Sequence, residues 1–266
     1  MDKSKVEMFA VDANGQYSFN FSIESSHYVV QSNALLRSRQ NLNLNSTKII
    51  RAAIMQIEPG DQAFKPYVIS IIDLSKLLNV SSSNLYRDIK AIVNNINRNP
   101  VEIEAEDSKM FISIPWVQLC AYDPSKGFFI QLNESLRPHL LDLKKRYGQY
   151  EYELIRGMDS VYGVRLFELL MSYIMVKIFP KNGMEIILTV DEIRKGCSCM
   201  DKYPAFANLK DRVIDPGVRE INRLTMYNIK FEYVKKGRSV YAIKFFIDNK
   251  INSEYKKLEI NGTTNQ

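Results

Sequence analysis

The chain has 266 residues, 45% hydrophobic and 25% charged, which is the balance of a globular protein able to bury one large core or two ordinary ones. Three cysteines leave one over from any pairing and so make no disulfide framework. The Cys197/Cys199 pair has no histidine near it, so the four-ligand set of a structural zinc site is missing too. The net charge of +6 is unevenly placed: residues 1–200 carry 23 Lys and Arg against 22 Asp and Glu, whereas residues 201–266 carry 13 against 8. A basic excess confined to the last quarter points to a polyanionic partner.

The first 27 residues are polar, with strand character at "YSFNF" and no secretory pattern. "NLNSTKIIRAAIMQI" then shows helical spacing through Ile50, Ala53, Ile54 and Ile57. "YVISI" reads as a strand and "DLSKLLNV" as a short helix with Asp73 as N-cap. "SSSNLYRDIKAIVNNINRN" starts on serine caps and carries Leu85, Ile89, Ile92, Val93 and Ile96 on one face. "PVEIEAEDSKMFISIPWV" alternates on either side of a polar turn and reads as a hairpin. A strand, "GFFIQL", and a helix, "ESLRPHLLDLKKRYG" with Pro138 in its first turn, close this half.

The second half is expected to repeat the plan. A long helix spans roughly Met158 to Phe179; its apolar run is too short to cross a bilayer and holds Glu168 and Lys177. The chain therefore reads as cytoplasmic, with no membrane partner. "EIILTV" is a strand, "DEIRKG" a short helix opened by Asp191, and "YPAFANLKDRVI" a helix. Asp215 and Pro216 read as the N-cap and first position of a further helical stretch, "PGVREINRL". "MYNIKFEYVKKGRSVYAIKFFI" is a strand, a tight turn and a second strand, followed by a polar tail from Asn252.

Two segments match with one residue inserted: "NLYRDIKAIVNNIN" at 84–97 and "NLKDRVIDPGVREIN" at 208–222. Each comes after a strand and a short helix, and each precedes a hairpin. This order of helix, strand, helix, helix and hairpin predicts an α+β protein of two tandem winged helix-turn-helix domains related by internal duplication. The expected boundaries are a polar segment at 1–27, domains at 28–150 and 151–250, and a tail at 251–266.

In such a fold the second helix of each pair enters the major groove. In the first half Arg87, Lys90, Asn94 and Arg98 lie opposite the apolar stripe. In the second, Phe206, Leu209 and Val213 point inward, Asn208 and Asp211 face out, and Lys210 and Arg212 flank the stripe and can reach past it. Arginine suits guanine edges and asparagine suits adenine; a plain solvated helix face is the alternative for each. The first hairpin, "EIEAEDSK", carries Glu102, Glu104, Glu106 and Asp107 against Lys109, whereas "KKGRS" in the second is cationic. Taken as the two wings, they assign DNA gripping to the second domain.

"VYGVRLFELLMSY" (161–173), "LKDRVIDPGVREIN" (209–222) and "KKGRSVYAIKF" (235–245) together resemble the initiator proteins of iteron-containing, theta-replicating plasmids, the RepE/RepA/RepB type. The likeness extends through the first half from "YVVQSNALLRSRQNLNLNSTKIIRAAIMQI" and covers roughly residues 28–248. The resemblance implies tandem winged helices whose monomer binds direct repeats (iterons) in double-stranded origin DNA, in equilibrium with a homodimer that represses its own gene. It also implies host initiator and helicase proteins as partners. Carried over by position, the base readers are Asn208, Lys210 and Arg212, with Lys235, Lys236 and Arg238 on the backbone. The first domain adds backbone contacts, which Arg87, Lys90 and Arg98 can supply, and the dimer surface. Asp211 stands where some relatives carry a basic residue.

The expectation is thus a replication initiator without cofactor, metal or catalytic activity. A tandem winged-helix transcription regulator without an origin role is the other reading of the same pattern. An enzyme fits less well. A rolling-circle nickase needs a paired His-hydrophobe-His, and the histidines, His27 and His139, are 112 residues apart. A helicase needs G-x-x-x-x-G-K-[ST], which the sequence lacks. The acidic cluster at 102–107 sits on a turn without the pattern of a two-metal site.

Overall fold

In a computed structural model of the chain, the described residues are 19–20, 28–58, 60–104, 110–141, 143, 146–174, 179–180 and 182–250. The chain divides into two compact units between Gly157 and Met158, seven residues later than the boundary expected at 150. The shift has a clear origin. Strand β2 (Tyr28–Ser32) pairs antiparallel with β9 (Tyr147–Glu151), Tyr28 opposite Glu151. The short helix α6 (Tyr152–Arg156) then packs on α2 (Leu44–Met55), where Lys48 Nζ donates to the Arg156 carbonyl at 2.7 Å. Residues 147–156 therefore belong to the first unit. The expected terminal segments lie outside the described residues, apart from β1 (Phe19–Asn20), which runs parallel to β4 (Tyr67–Ile69).

The first unit is built on α2, β4, α3 (Ile71–Leu78) and α4 (Ser82–Arg98), preceded by β2, α1 (Asn33–Arg37) and β3 (Arg39–Gln40). Ser70 caps α3 by accepting from the Asp73 N–H, so Asp73 is the third residue of the helix and not its cap. Its carboxylate accepts from Ser70 Oγ at 2.7 Å, which orients the capping hydroxyl. The turn between the two helices ends α3 on Asn79 in the left-handed region, φ +56°, with the Val80 N–H on the Ser75 carbonyl at 3.0 Å. Ser81 caps α4, and Leu85, Ile89, Ile92 and Ile96 bury its inner face against Leu74, Leu77 and Leu78 of the same unit.

The hairpin read as the first wing is a different element. β5 (Val101–Glu104) and β6 (Phe111–Ile114) do pair, but with β3 beside them, in a separate sheet ordered β3-β5-β6. The wing is the next hairpin, β7 (Val117–Asp123) and β8 (Gly127–Leu132), because β8 returns to pair with β4 and gives the order β1-β4-β8-β7. β5–β6 is thus an insertion between the second helix and the wing. Its tip, residues 105–109, lies outside the described residues. The helix expected at 134–148 is a 3-10 turn, Glu134–Leu136, and a short α5, Arg137–Leu140.

The second unit has α7 (Val161–Met171), β10 (Met184–Thr189), α8 (Val190–Gly196), a helix from Phe206 to Leu224, β11 (Tyr227–Lys236) and β12 (Ser239–Asn249). The expected helix at 158–179 is shorter at both ends. Thr189, not Asp191, caps α8, in a capping box with Glu192. The sheet order β10-β12-β11 repeats β4-β8-β7. In each unit the strand that precedes the helix pair is therefore paired with the second strand of the hairpin that follows it: the winged-helix topology. Leu166, Phe167, Leu188, Ile193, Leu209, Val213, Ile221, Ile243 and Phe245 form the second core. Arg165 and Glu168 pair inside it at 2.5 Å, and Arg165 Nε also donates to the Gly196 carbonyl at 2.9 Å, closing the end of α8. Such a pair tolerates burial only because its hydrogen bonds are met.

The helix 206–224 accommodates the one-residue insertion. It runs as α (Phe206–Leu209), one π-turn (Lys210–Ile214) and α again (Asp215–Leu224), without a break. Asp215 and Pro216 therefore do not start a new helix. Leu85 and Ile96 are eleven positions apart, and Leu209 and Ile221 twelve; all four side chains are buried. An extra residue in a plain α-helix would rotate every later position by about 100°. The π-turn absorbs that residue, the Asp215 N–H donating to the Lys210 carbonyl five back. It also seats Pro216, which has no N–H to give and whose ring crowds the turn before it in a regular helix.

Candidate nucleic-acid interface

The approach to the long helix of the second unit is fixed from below. Arg194, 8% exposed, donates to three consecutive carbonyls of the connecting loop: Lys202 and Tyr203 at 2.7 Å and Pro204 at 3.1 Å. Tyr203 sits at φ +55° and its ring meets Tyr162 edge-on at 5.9 Å. Cys197 and Cys199 are buried beside this loop, and burial pushes the Cys197 thiol well above its ordinary range. They are inert packing thiols.

Along the helix, Leu209, Val213, Ile214, Gly217, Val218 and Ile221 are buried, and Asn208, Asp211, Arg212, Arg219 and Arg223 are exposed. Asn208 and Arg212 thus stand on the open face. Lys210 is half-buried and occupied: its ammonium lies 2.5 Å from Asp215 Oδ2 and 3.5 Å from Asp211 Oδ1. Arg219 and Arg223 extend the cationic face by two turns, with Arg223 also 3.5 Å from Asp159. Sequence reading missed both, because Pro216 seemed to end one helix and begin another. The signal was present in the four-residue spacing of the two arginines.

The wing stands beside this face. Gly237 takes φ +64° at the first central position of the two-residue turn, the site where a II′-type hairpin needs glycine. Lys235, Lys236 and Arg238 are all exposed around it and make no ion pair among the described residues. A register shift between Val234 and Lys235 marks a bulge at the base of the tip. Lys236 Nζ lies 5.8 Å from the Tyr241 ring centroid. Like charges gathered without partners stabilise nothing locally; they make a surface suited to phosphates.

In the first unit Arg87, Lys90, Asn94 and Arg98 are exposed on α4, as its period requires. Arg87 pairs with its neighbour Asp88 at 3.0 Å. The true wing tip, Asp123 to Gly127, is close to neutral. Asp123 accepts from the Ser125 N–H at 2.7 Å and from Ser125 Oγ at 2.5 Å, which hold its carboxyl below the usual range. The contrast between the two wings is therefore cationic against nearly neutral. The acidic run that suggested a repelled wing belongs to the inserted hairpin, where Glu102 lies 3.6 Å from Arg39.

Two winged helices in tandem, one with an exposed Asn/Arg helix face beside a cationic hairpin, define a winged-helix DNA-binding protein. Comparison with known proteins agrees. The first winged-helix model of the initiator replication proteins matches residues 28–171 and the second matches residues 189–247. The chain is 25% identical over 224 residues to a replication initiation protein of Escherichia coli, covering 83% of this chain and 69% of that one. It is 20% identical over 231 residues to an uncharacterized 27.6 kDa protein of Escherichia coli, covering 81% and 93%. Among solved structures it resembles the Pi initiator protein in complex with iteron DNA, with a TM-score of 0.67 at 20% identity, covering 85% of this chain and 99% of the other. The chain belongs to the initiator replication protein family. Its first winged-helix match runs on through α7, which in this structure packs within the second unit against the helix 215–224. No helix among the described residues is long and apolar enough to cross a membrane.

Proposed function

We propose that this protein starts replication by binding direct repeats in the double-stranded origin of its own replicon. The helix 206–224 of the second unit reads bases, and the cationic wing holds the backbone. The observation that carries this reading is the open face of Asn208, Arg212 and Arg219 set beside the exposed Lys235, Lys236 and Arg238. Asn208 and Arg212 supply the two side-chain types that pair bidentately with adenine and guanine edges, and Lys210 adds an ammonium at the same turn. Arg87, Lys90 and Arg98 of the first unit contact phosphate and fix register without reading sequence.

The proposed work is binding and deformation of DNA, not catalysis. Binding energy from several repeats offsets the cost of bending and opening the duplex, about 1–10 kcal/mol for each bent site, and host replication proteins are recruited to the assembled complex. The same chain, as a dimer, represses its own gene. A gel-shift series with the direct repeats beside its gene tests the reading, and equal affinity for a shuffled duplex overturns it.

A further inference from the structure

The helix proposed to read bases carries two carboxylates on or near its open face, where phosphate would repel them. Asp211 is exposed and Asp215 half-buried, and both lie against Lys210. The closer contact, 2.5 Å between Lys210 Nζ and Asp215 Oδ2, joins residues five apart. In a regular α-helix positions five apart point about 140° away from each other. The π-turn at Lys210–Ile214 brings them into line, so the pair exists only because of the inserted residue. The hydrogen bond to Asp215 raises the Lys210 pKa, so its charge is kept. Lys210, Asp211, Arg212 and Asp215 together carry no net charge, and the turn that would meet the groove first adds little general attraction for DNA. Arg212 makes no ion pair among the described residues, so the restraint falls on Lys210 alone.

We infer that Asp215 is a specificity-determining residue: it holds the Lys210 ammonium off the phosphates of arbitrary DNA and yields it to a base-edge acceptor at the cognate repeat. The inference rests on the proposed DNA-reading role of this helix. It differs from a general repulsion by Asp215, because it requires Lys210 to be released.

The test uses the full chain with two probes, a duplex of the direct repeat beside its gene and a mixed-sequence duplex, titrated over a range of salt. Asp215→Asn is expected to tighten binding to the mixed duplex about fivefold near physiological salt and to steepen its log affinity against log salt slope by about 0.9, the signature of one added phosphate contact. Affinity for the repeat changes far less, so discrimination falls. In a Lys210→Met background the same substitution leaves the slope unchanged. Lys210→Met alone keeps the wild-type slope on the mixed duplex and loses affinity only for the repeat. Thermal midpoints confirm that each variant is folded, and Lys210→Met gives an independent reading. An unchanged slope in Asp215→Asn overturns the inference, as does equal steepening with and without Lys210. A wild-type chain that ignores repeat sequence instead removes the DNA-reading role itself, a separate and distinguishable failure.

Discussion

The ring of Phe206 meets that of Tyr233 edge-on, centroids 5.5 Å apart and planes at 87°. Phe206 opens the helix proposed to read bases and Tyr233 lies on the wing strand β11, so this contact ties the two parts of the proposed interface together. Phe231 continues it, 5.9 Å from Tyr233 and 6.1 Å from the buried Phe245. The wing is thereby braced to the core through a row of rings.

Loosening that brace should affect recognition more than folding. Tyr233→Ala is expected to cost about 1 kcal/mol of stability, the scale of one aromatic pair, since Tyr233 is already 41% exposed. Affinity for the repeat should fall, and Tyr233→Phe should restore it. Urea unfolding alongside anisotropy titration separates the two effects; full repeat affinity in Tyr233→Ala would show that the brace does not position the helix.

The wing itself answers to salt. Replacing Lys235, Lys236 and Arg238 together by alanine should flatten the log affinity against log salt slope by about 2.7 units if each cation meets one phosphate. Preference for the repeat over other sequences should survive, because phosphate contacts carry no base code. Arg212→Ala should do the reverse, with discrimination eroded and the slope changed by roughly one unit or less.

Gly127 is a position of the first unit that has no room for a side chain. It adopts φ +120°, and a Cβ there would lie 2.5 Å from the Ile69 carbonyl oxygen on β4. Gly127→Ala has to strain the backbone and separate the β4–β8 pairing that defines the fold. A loss of about 2–4 kcal/mol is expected from the two effects together. Gly60→Ala makes the control, with nothing within 4 Å of its added carbon but a positive φ of its own. Denaturant midpoints should fall far less for the control.

His139 gives the first unit a pH response. Its ring nitrogen Nδ1 lies 2.9 Å from Ser32 Oγ, and burial holds its pKa below the ordinary 6.5. The unfolded chain therefore takes up a proton on this residue at a higher pH than the folded one does. Its contribution is fully present above about pH 6.5 and is lost as pH falls from there toward the lower folded value. His139→Gln should flatten unfolding free energy against pH across that window; an unchanged profile would place the response elsewhere.

Much of this architecture was legible in the chain. The periods of 82–98 and 184–189 set their elements, because side-chain burial on one face leaves a direct trace in the pattern. The helix at 44–55 was legible from its apolar spacing, although it is buried all round from Ser46 to Met55. The hairpin at 227–249 was equally plain, since Gly237 and the alternation around it admit one reading. The failures were decisions between equivalent local patterns. Val101–Ile114 and Val117–Leu132 both alternate about a polar turn, and only pairing with distant Tyr67–Ile69 shows which is the wing. The pairing of residues 28–32 with 147–151 is likewise long-range. Asp215-Pro216 carries a true helix-start signature, overridden here by the burial of Val213, Ile214 and Val218 along one continuous stripe. The Arg194 clamp and the Lys210–Asp215 pair are tertiary or depend on a π-turn, so a side-chain inventory could name the candidates without showing which are held.

Sequence-selective binding by the second unit is the central claim. The direct measurement is the affinity of the full chain for a duplex of the repeats beside its own gene, against a shuffled duplex of equal length and composition, at fixed physiological salt. A preference of about a thousandfold or more for the repeats is expected, reduced by Arg212→Ala and retained by the wing triple variant. Equal affinity for the two duplexes would contradict it.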